Sequence, residues 1–284
     1  MDLTVFGHTG FVGSAFVKRY RDVDDLYLPP RYSRRPNPYK KTDILYLIST
    51  THNYNVFTDP TLDVKTNLVV LTETLESWKN NNPEGVFNFV SSWFVYGNVA
   101  GVGTMGYVDE LEPCDPKGFY SITKYAAEQL LVSFAETFGL KYRILRLCNI
   151  IGPGDKGASK QKNAFQYLLN EMKENRPIQI YEKGQFYRTY MDVEDCASAL
   201  NLVMRKGNLN EIYNIGTEPA QVFMDMISFG ARALNTTSRI EFIEQKDFHK
   251  KVQVKSFAMD CSKLYNLGFQ PRYSIQDSIY RMIK

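Results

Sequence analysis

Cysteine and histidine are both scarce in this chain. Four cysteines, Cys114, Cys148, Cys196 and Cys261, stand far apart without a C-x-x-C pair, and three histidines, His8, His52 and His249, are equally scattered. Such spacing argues against a disulfide framework, a zinc centre and a Ser-His-Asp triad, and predicts chemistry without a metal. Long apolar runs are missing too. Segments such as Ile44 to Ile48 and Val86 to Val90 fall far short of the roughly 20 residues that span a bilayer, and Met1 leads into a predicted strand rather than a signal sequence. A soluble, cytoplasmic protein is expected. Nor does charge of one sign dominate: 34 basic and 31 acidic residues leave a net +3, which speaks against nucleic acid and membrane as partners and leaves anionic small molecules.

What is present is a core-forming fraction of 44% hydrophobic residues in 284, enough for a large α/β domain with a smaller one attached. Short apolar runs alternate with longer helical patterns, the sign of a parallel sheet covered on both faces. Strands are expected at Leu3 to Phe6, Leu26 to Leu28, Ile44 to Ile48, Val86 to Val90 and Tyr142 to Leu147, and helices at Asp63 to Trp78 and Phe119 to Phe138, the latter closed by Gly139. After Asn149 a loop, Ile151 to Gly157, precedes a helical pattern over Asn163 to Asn175. The expected fold is Rossmann-like and doubly wound, with residues 1–150 binding a dinucleotide and 151–284 forming a smaller α/β substrate domain, of which 189–215 return to the first.

Gly7-His8-Thr9-Gly10-Phe11-Val12-Gly13 lies between the first predicted strand and a helix. A G-x-x-G-x-x-G turn there varies the dinucleotide fingerprint, because it sets a pyrophosphate against amides at a helix N-terminus. Alternatively the glycines serve only a tight turn. Where an NAD site carries an acid after its second strand, this chain has Arg31, followed by Ser33, Arg34 and Arg35. Guanidinium groups suit a 2′-phosphate, which favours NADP(H) over NAD; otherwise the loop is merely solvated.

Y-x-x-x-K occurs at Tyr120/Lys124 and at Tyr280/Lys284. The second pair sits at the C-terminus with no evident partner, whereas Tyr120 opens a helix downstream of a strand ending in Ser91-Ser92. The i, i+4 spacing puts Tyr120 and Lys124 on one helix face. A phenol, whose pKa is ordinarily about 10, becomes an acid or base near neutrality when an ammonium group draws it down. Ser92 would hold the hydroxyl or carbonyl that is oxidised or reduced.

Gly7 to Gly13, Phe89 to Gly97, Tyr120 to Lys124, Arg146 to Gly154 and Tyr213 to Gly216 follow the order seen in extended short-chain dehydrogenases acting on nucleotide-diphosphate sugars, and the chain resembles that family along nearly its whole length. The resemblance implies that Ser92 binds the sugar O4, that Tyr120 gives and takes the proton, and that Lys124 binds the nicotinamide ribose and lowers the tyrosine pKa. It implies substrate contacts for Asn149, Asn163 and Arg188, the last two on the diphosphate. For each asparagine a loop-capping role, and for Arg188 a surface salt bridge, stays open. The family often forms homodimers through the tyrosine helix and its predecessor. Leu68, Leu71, Leu75, Leu130, Leu131 and Phe134 suit either such a contact or the sheet.

Departures from the family narrow the reaction. Sugar 4,6-dehydratases carry Asp-Glu directly after the catalytic Thr, where this chain has Trp93 and Phe94. Neither transfers a proton, which argues against dehydration. In the fucose-synthase branch the epimerising Cys and His fall near Phe94 and Asn163, which argues against inversion at C3 and C5. Redox chemistry at C4 survives, as an NADPH-dependent 4-ketoreductase, slightly favoured by Arg31, or as a 4-epimerase that retains NAD. A non-catalytic NADP-binding redox sensor is the rival of another class. Trp93 either walls the sugar pocket or packs the core.

Overall fold

A computed structural model describes residues 1–97, 106–252 and 256–284. Six strands pair in parallel: β1 (Asp2–Phe6), β2 (Asp25–Tyr27), β3 (Asp43–Tyr46), β4 (Phe87–Ser92), β5 (Tyr142–Leu147) and β6 (Glu211–Ile215). Their order across the sheet is β2-β1-β3-β4-β5-β6. All six residues of β4 and of β5 are buried, as strands covered on both faces must be. One face is closed by α1 (Phe11–Tyr20) and α5 (Val193–Lys206), which bring Phe16, Ala197, Leu200 and Val203 against Leu3, Val5, Leu45 and Leu145. The other is closed by α2 (residues 62–81) and α3 (Phe119–Phe138), through Leu71, Leu75, Trp78, Ala127 and Leu131 against Ile44, Tyr46, Phe87 and Phe89. The fold is a doubly wound, Rossmann-type α/β sheet.

A separate apolar cluster joins α4 (Ala164–Lys173) and α6 (Phe223–Leu234) to the paired strands Ile178–Tyr181 and Ile240–Ile243, with Phe165, Leu169, Met172, Met226 and Ile227 at its centre. It is the core of the smaller C-terminal α/β part.

Three features differ from the expectation drawn from sequence. The helix predicted from Asp63 begins at Leu62, runs to Asn81, and contains a π-turn over Lys65–Val69. Period counting cannot see such a widening, which commonly marks a functional site. Asn163 is not within a helix but caps α4 in the left-handed region, with φ 53°. Tyr280 is not without a partner: its ring meets Phe229 edge-on at 5.2 Å. Of the leucines weighed for a dimer face, Leu71, Leu75 and Leu131 cover the sheet while Leu130 is 43% exposed. Among the described residues no helix is long and apolar enough to cross a membrane.

Candidate active site

The chain leaves β1 for β2 on one side and then crosses to β3 on the other, so a crevice opens at the C-terminal ends of β1 and β3, where open α/β sheets bind ligands. A cleft of ≈ 540 Å³ occupies it, running from Gly7, Gly10, Phe11, Val12 and Gly13 past Ser92, Trp93, Tyr120 and Lys124 to Asn149, Asn163, Tyr181 and Arg188. That volume is typical of a cofactor or ligand site.

The glycine turn is dictated by close contact. Gly7 adopts φ 78°, and a Cβ at Gly13 would lie 2.4 Å from the Gly7 carbonyl oxygen and 2.8 Å from the His8 Cα. Neither atom can yield without moving the backbone. The turn delivers the chain into α1, whose N-terminus has no side-chain cap and no acid in its first turn, so its amides face the cleft uncompensated and suit an anion. Thr9 is exposed at the tip of the turn. His8 Nε2 lies 3.0 Å from the Pro29 carbonyl, tethering the turn to the loop after β2. On that loop Arg31 is exposed, 5.9 Å from the Tyr32 ring centroid, and Arg34 donates from Nε to Glu73 at 3.1 Å. Ser33 Oγ accepts from the Arg35 amide.

Tyr120 and Lys124 point from the first turns of α3 into the sheet. Gly118 makes this start possible, because a Cβ there would sit 2.1 Å from Asn53 Oδ1, and the Gly118 amide donates to Ser121 Oγ at 3.0 Å. Ser92 ends β4. Its Oγ accepts from the Phe94 amide at 3.3 Å, and its hydroxyl hydrogen-bonds with the Tyr120 phenol beside it. Lys124 Nζ donates to the Val90 carbonyl at 2.7 Å and lies 4.1 Å from the Phe89 ring centroid. Burial brings the lysine down to about 7, against the pull of Glu128. Burial pushes the Tyr120 phenol up to about 12; a hydrogen bond with Ser92 opposes this and Asp63 adds to it. The expected depression of the phenol by the lysine is therefore absent from this geometry. Desolvation acts on both side chains at once and disfavours phenolate and ammonium alike.

Trp93 packs in the core and also borders the cleft. Its indole packs on Phe257 at 4.9 Å and on Phe94 at 4.2 Å, yet it also lines the cleft with the Arg188 guanidinium 5.2 Å above it. Arg188 is 8% exposed and brought down to about 10 by burial, so it is not a surface salt-bridge residue. Asn149 donates from Nδ2 to the Thr189 carbonyl at 3.0 Å, and Asn163 donates to the Ile150 carbonyl at 3.2 Å and to Asp155 at 3.1 Å.

Several cleft residues were missed in the sequence: Ser49, Thr50, His52 and Tyr54 after β3, and Tyr181 and His249 from the C-terminal part. Behind them, Asn67 in the π-turn accepts from the Ser49 hydroxyl and the Thr50 amide and donates to Thr50 and Thr123, while buried Asp63 accepts from Asn55 and Thr50. The polar run Ser49-Thr50-Thr51-His52-Asn53, directly after an apolar strand, was the available signal, since strand C-termini carry the ligands in this architecture.

Fold and cleft together define a dinucleotide-binding α/β protein. The sequence profile of the NAD dependent epimerase/dehydratase family matches residues 40–216, and the chain belongs to that family. A trifunctional UDP-glucose 4,6-dehydratase/UDP-4-keto-6-deoxy-D-glucose 3,5-epimerase/UDP-4-keto-L-rhamnose-reductase of Arabidopsis thaliana is 28% identical over 243 residues, which is 83% of this chain and 34% of that protein. The chain thus spans about a third of that relative's length. The GDP-6-deoxy-D-mannose reductase of Pseudomonas aeruginosa is 25% identical, covering 83% of this chain and 77% of that enzyme. Among solved structures, RMD from Pseudomonas aeruginosa complexed with NADPH superposes with a TM-score of 0.84 at 23% identity, over 100% of this chain and 98% of that one. The UDP-glucose 4-epimerase of Thermus thermophilus in complex with NAD gives 0.85 at 21%, over 100% and 98%. The glycine cradle and the uncapped start of α1 fit a nicotinamide dinucleotide, the cofactor class of the family.

Proposed function

We propose that this protein reduces the C4 carbonyl of a nucleotide-diphosphate sugar with NADPH. The observation that carries this reading is the wall formed by Ser92, Tyr120 and Lys124, followed by Trp93 and Phe94, which offer no proton-transferring group. The nicotinamide supplies the hydride. Ser92 donates its hydroxyl hydrogen to the carbonyl oxygen, Tyr120 passes its proton to the oxygen as negative charge develops, and Lys124 stands beneath as ribose ligand. A phenol near 12 is matched to this direction, because it remains protonated at neutral pH and the alkoxide it serves is more basic still. Gly7, Thr9, Gly10, Phe11, Val12 and Gly13 hold the pyrophosphate, Arg31, Ser33 and Arg34 the 2′-phosphate, and Asn149, Asn163 and Arg188 the sugar diphosphate, with Trp93 walling the sugar. The division at residue 150, with 189–215 returning to the first domain, and a homodimer are parts of the same reading.

A 4-epimerase is the second reading, favoured by the Arg34–Glu73 ion pair, which engages the guanidinium that would bind a 2′-phosphate. The test is to supply NADPH with a 4-keto nucleotide sugar and follow absorbance. One NADPH consumed per sugar reduced supports the reductase; interconversion of 4-hydroxy epimers without net NADPH loss replaces it with the epimerase. No turnover with any nucleotide sugar would favour the redox sensor.

A further inference from the structure

The cleft also carries a contact between its walls that the proposed chemistry does not use. The short helix α7 (Asp247–Val252) has no buried residue, so it is held in place by side chains at its edge. His249 Nε2 lies 2.8 Å from the Tyr54 hydroxyl and 3.4 Å from the Tyr181 hydroxyl. Phe248 adds ring contacts to Phe57 at 4.6 Å and to Tyr54 at 5.5 Å. Tyr54 belongs to the 3-10 turn Asn53–Phe57 after β3, whereas Tyr181 ends a strand of the C-terminal part. The imidazole thus bridges two separately built walls, and all three residues line the cleft.

We propose that residues 246–252 form a strap over the substrate end of the cleft, latched by the neutral imidazole of His249 against the Tyr54 hydroxyl. Only the nature of what passes beneath the strap rests on the function proposed above. Two side-chain hydrogen bonds and a few ring contacts make a closure that opens locally without unfolding the domain. The groups that act on the imidazole are Tyr54 from the turn, Tyr181 from the strand, Lys160 from the loop before α4 and Lys246 from its own segment, while His52 meets the Tyr54 ring edge-on and Asp247 pairs with Lys250. Burial first, then Lys246 and Lys160, hold His249 below its ordinary 6.5. A group whose pKa is depressed in the closed form stabilises that form above its free value and loses the effect as pH falls. The latch therefore weakens on acidification below pH 6.5.

Hydrogen exchange of amides 247–252 in the full chain, corrected for intrinsic rates and read without any substrate, tests the latch. At pH 7.5, His249→Ala and Tyr54→Phe each speed exchange in this segment about tenfold. The wild type shows the same rise at pH 5.5, while His249→Gln, which keeps a hydrogen-bonding side chain but does not titrate, changes little at either pH. Equal exchange in His249→Ala and wild type, or a wild-type rate that does not rise at pH 5.5, overturns the proposal. Failure of every nucleotide sugar to turn over would leave this result standing, so the two readings fail separately.

Discussion

Lys124 is 2% exposed and fixed between a strand carbonyl and an aromatic ring, whereas Arg31 lies on an exposed loop against a single tyrosine. Both are basic side chains that the proposed reading sets against one cofactor, yet they are held by opposite means. The wall of Ser92, Tyr120 and Lys124 is built from a buried strand and a buried helix face, so its geometry is inseparable from the core. The loop carrying Arg31, Ser33 and Arg34 is held by few partners and can change without touching the sheet. On the proposed reading, reaction type is therefore costly to alter in such an architecture, and cofactor preference is adjustable.

The contrast can be broken most severely at Tyr120. Tyr120→Phe should lower kcat by about 10²–10⁴ while NADPH affinity by fluorescence titration stays within about twofold, since the ring still fits. Gly13→Ala should weaken dinucleotide binding by at least about tenfold and cost about 1–3 kcal/mol of stability in denaturant melts, because the new methyl meets backbone rather than a flexible side chain. On the loop, Arg31→Asp should move the NADPH-to-NADH affinity ratio about tenfold towards NADH with melting unchanged, the worth of one charge-assisted contact. An unmoved ratio would make Arg31 a solvated residue only.

Lys124 sharpens the same comparison through stability. Its pKa in the fold lies near 7, against an ordinary 10.5. The protonated form is thus disfavoured by folding, and the penalty is full below pH 7 and shrinks as pH rises towards 10.5. Lys124→Met should raise the melting temperature by about 3 °C or more at pH 6, less at pH 10, while abolishing turnover. A stabilising substitution that destroys function would mark the lysine as kept for chemistry. The smallest effect is expected at Glu73. Glu73→Gln releases Arg34 from its ion pair and should tighten NADPH binding about threefold or less, the worth of an exposed pair.

What could be seen in the sequence divides along a related line. The strand Tyr142–Leu147 and the helix Phe119–Phe138 stand where their apolar patterns put them, because burial on a sheet imposes a period that single residues report. Local spacing also brought Tyr120 and Lys124 to one face. The missed features depend on distant contacts. His249 meets Tyr54 across 195 positions, and no period or spacing in the chain announces that. Asn67 is hidden by a π-turn that displaces the helical count, and the left-handed conformation of Asn163 looks like ordinary helix in sequence. The raised phenol of Tyr120 was missed for another reason: spacing shows which charge is near but not how much water both groups have lost.

The most direct measurement is on the purified full chain: identify any nicotinamide it retains, then titrate NADPH and NADH by fluorescence. A reductase built as proposed exchanges its cofactor freely and binds NADPH about tenfold or more tightly than NADH. Tightly retained NAD with no preference for the phosphate would contradict it, and would make the internal return of hydride by a 4-epimerase the function of this cleft.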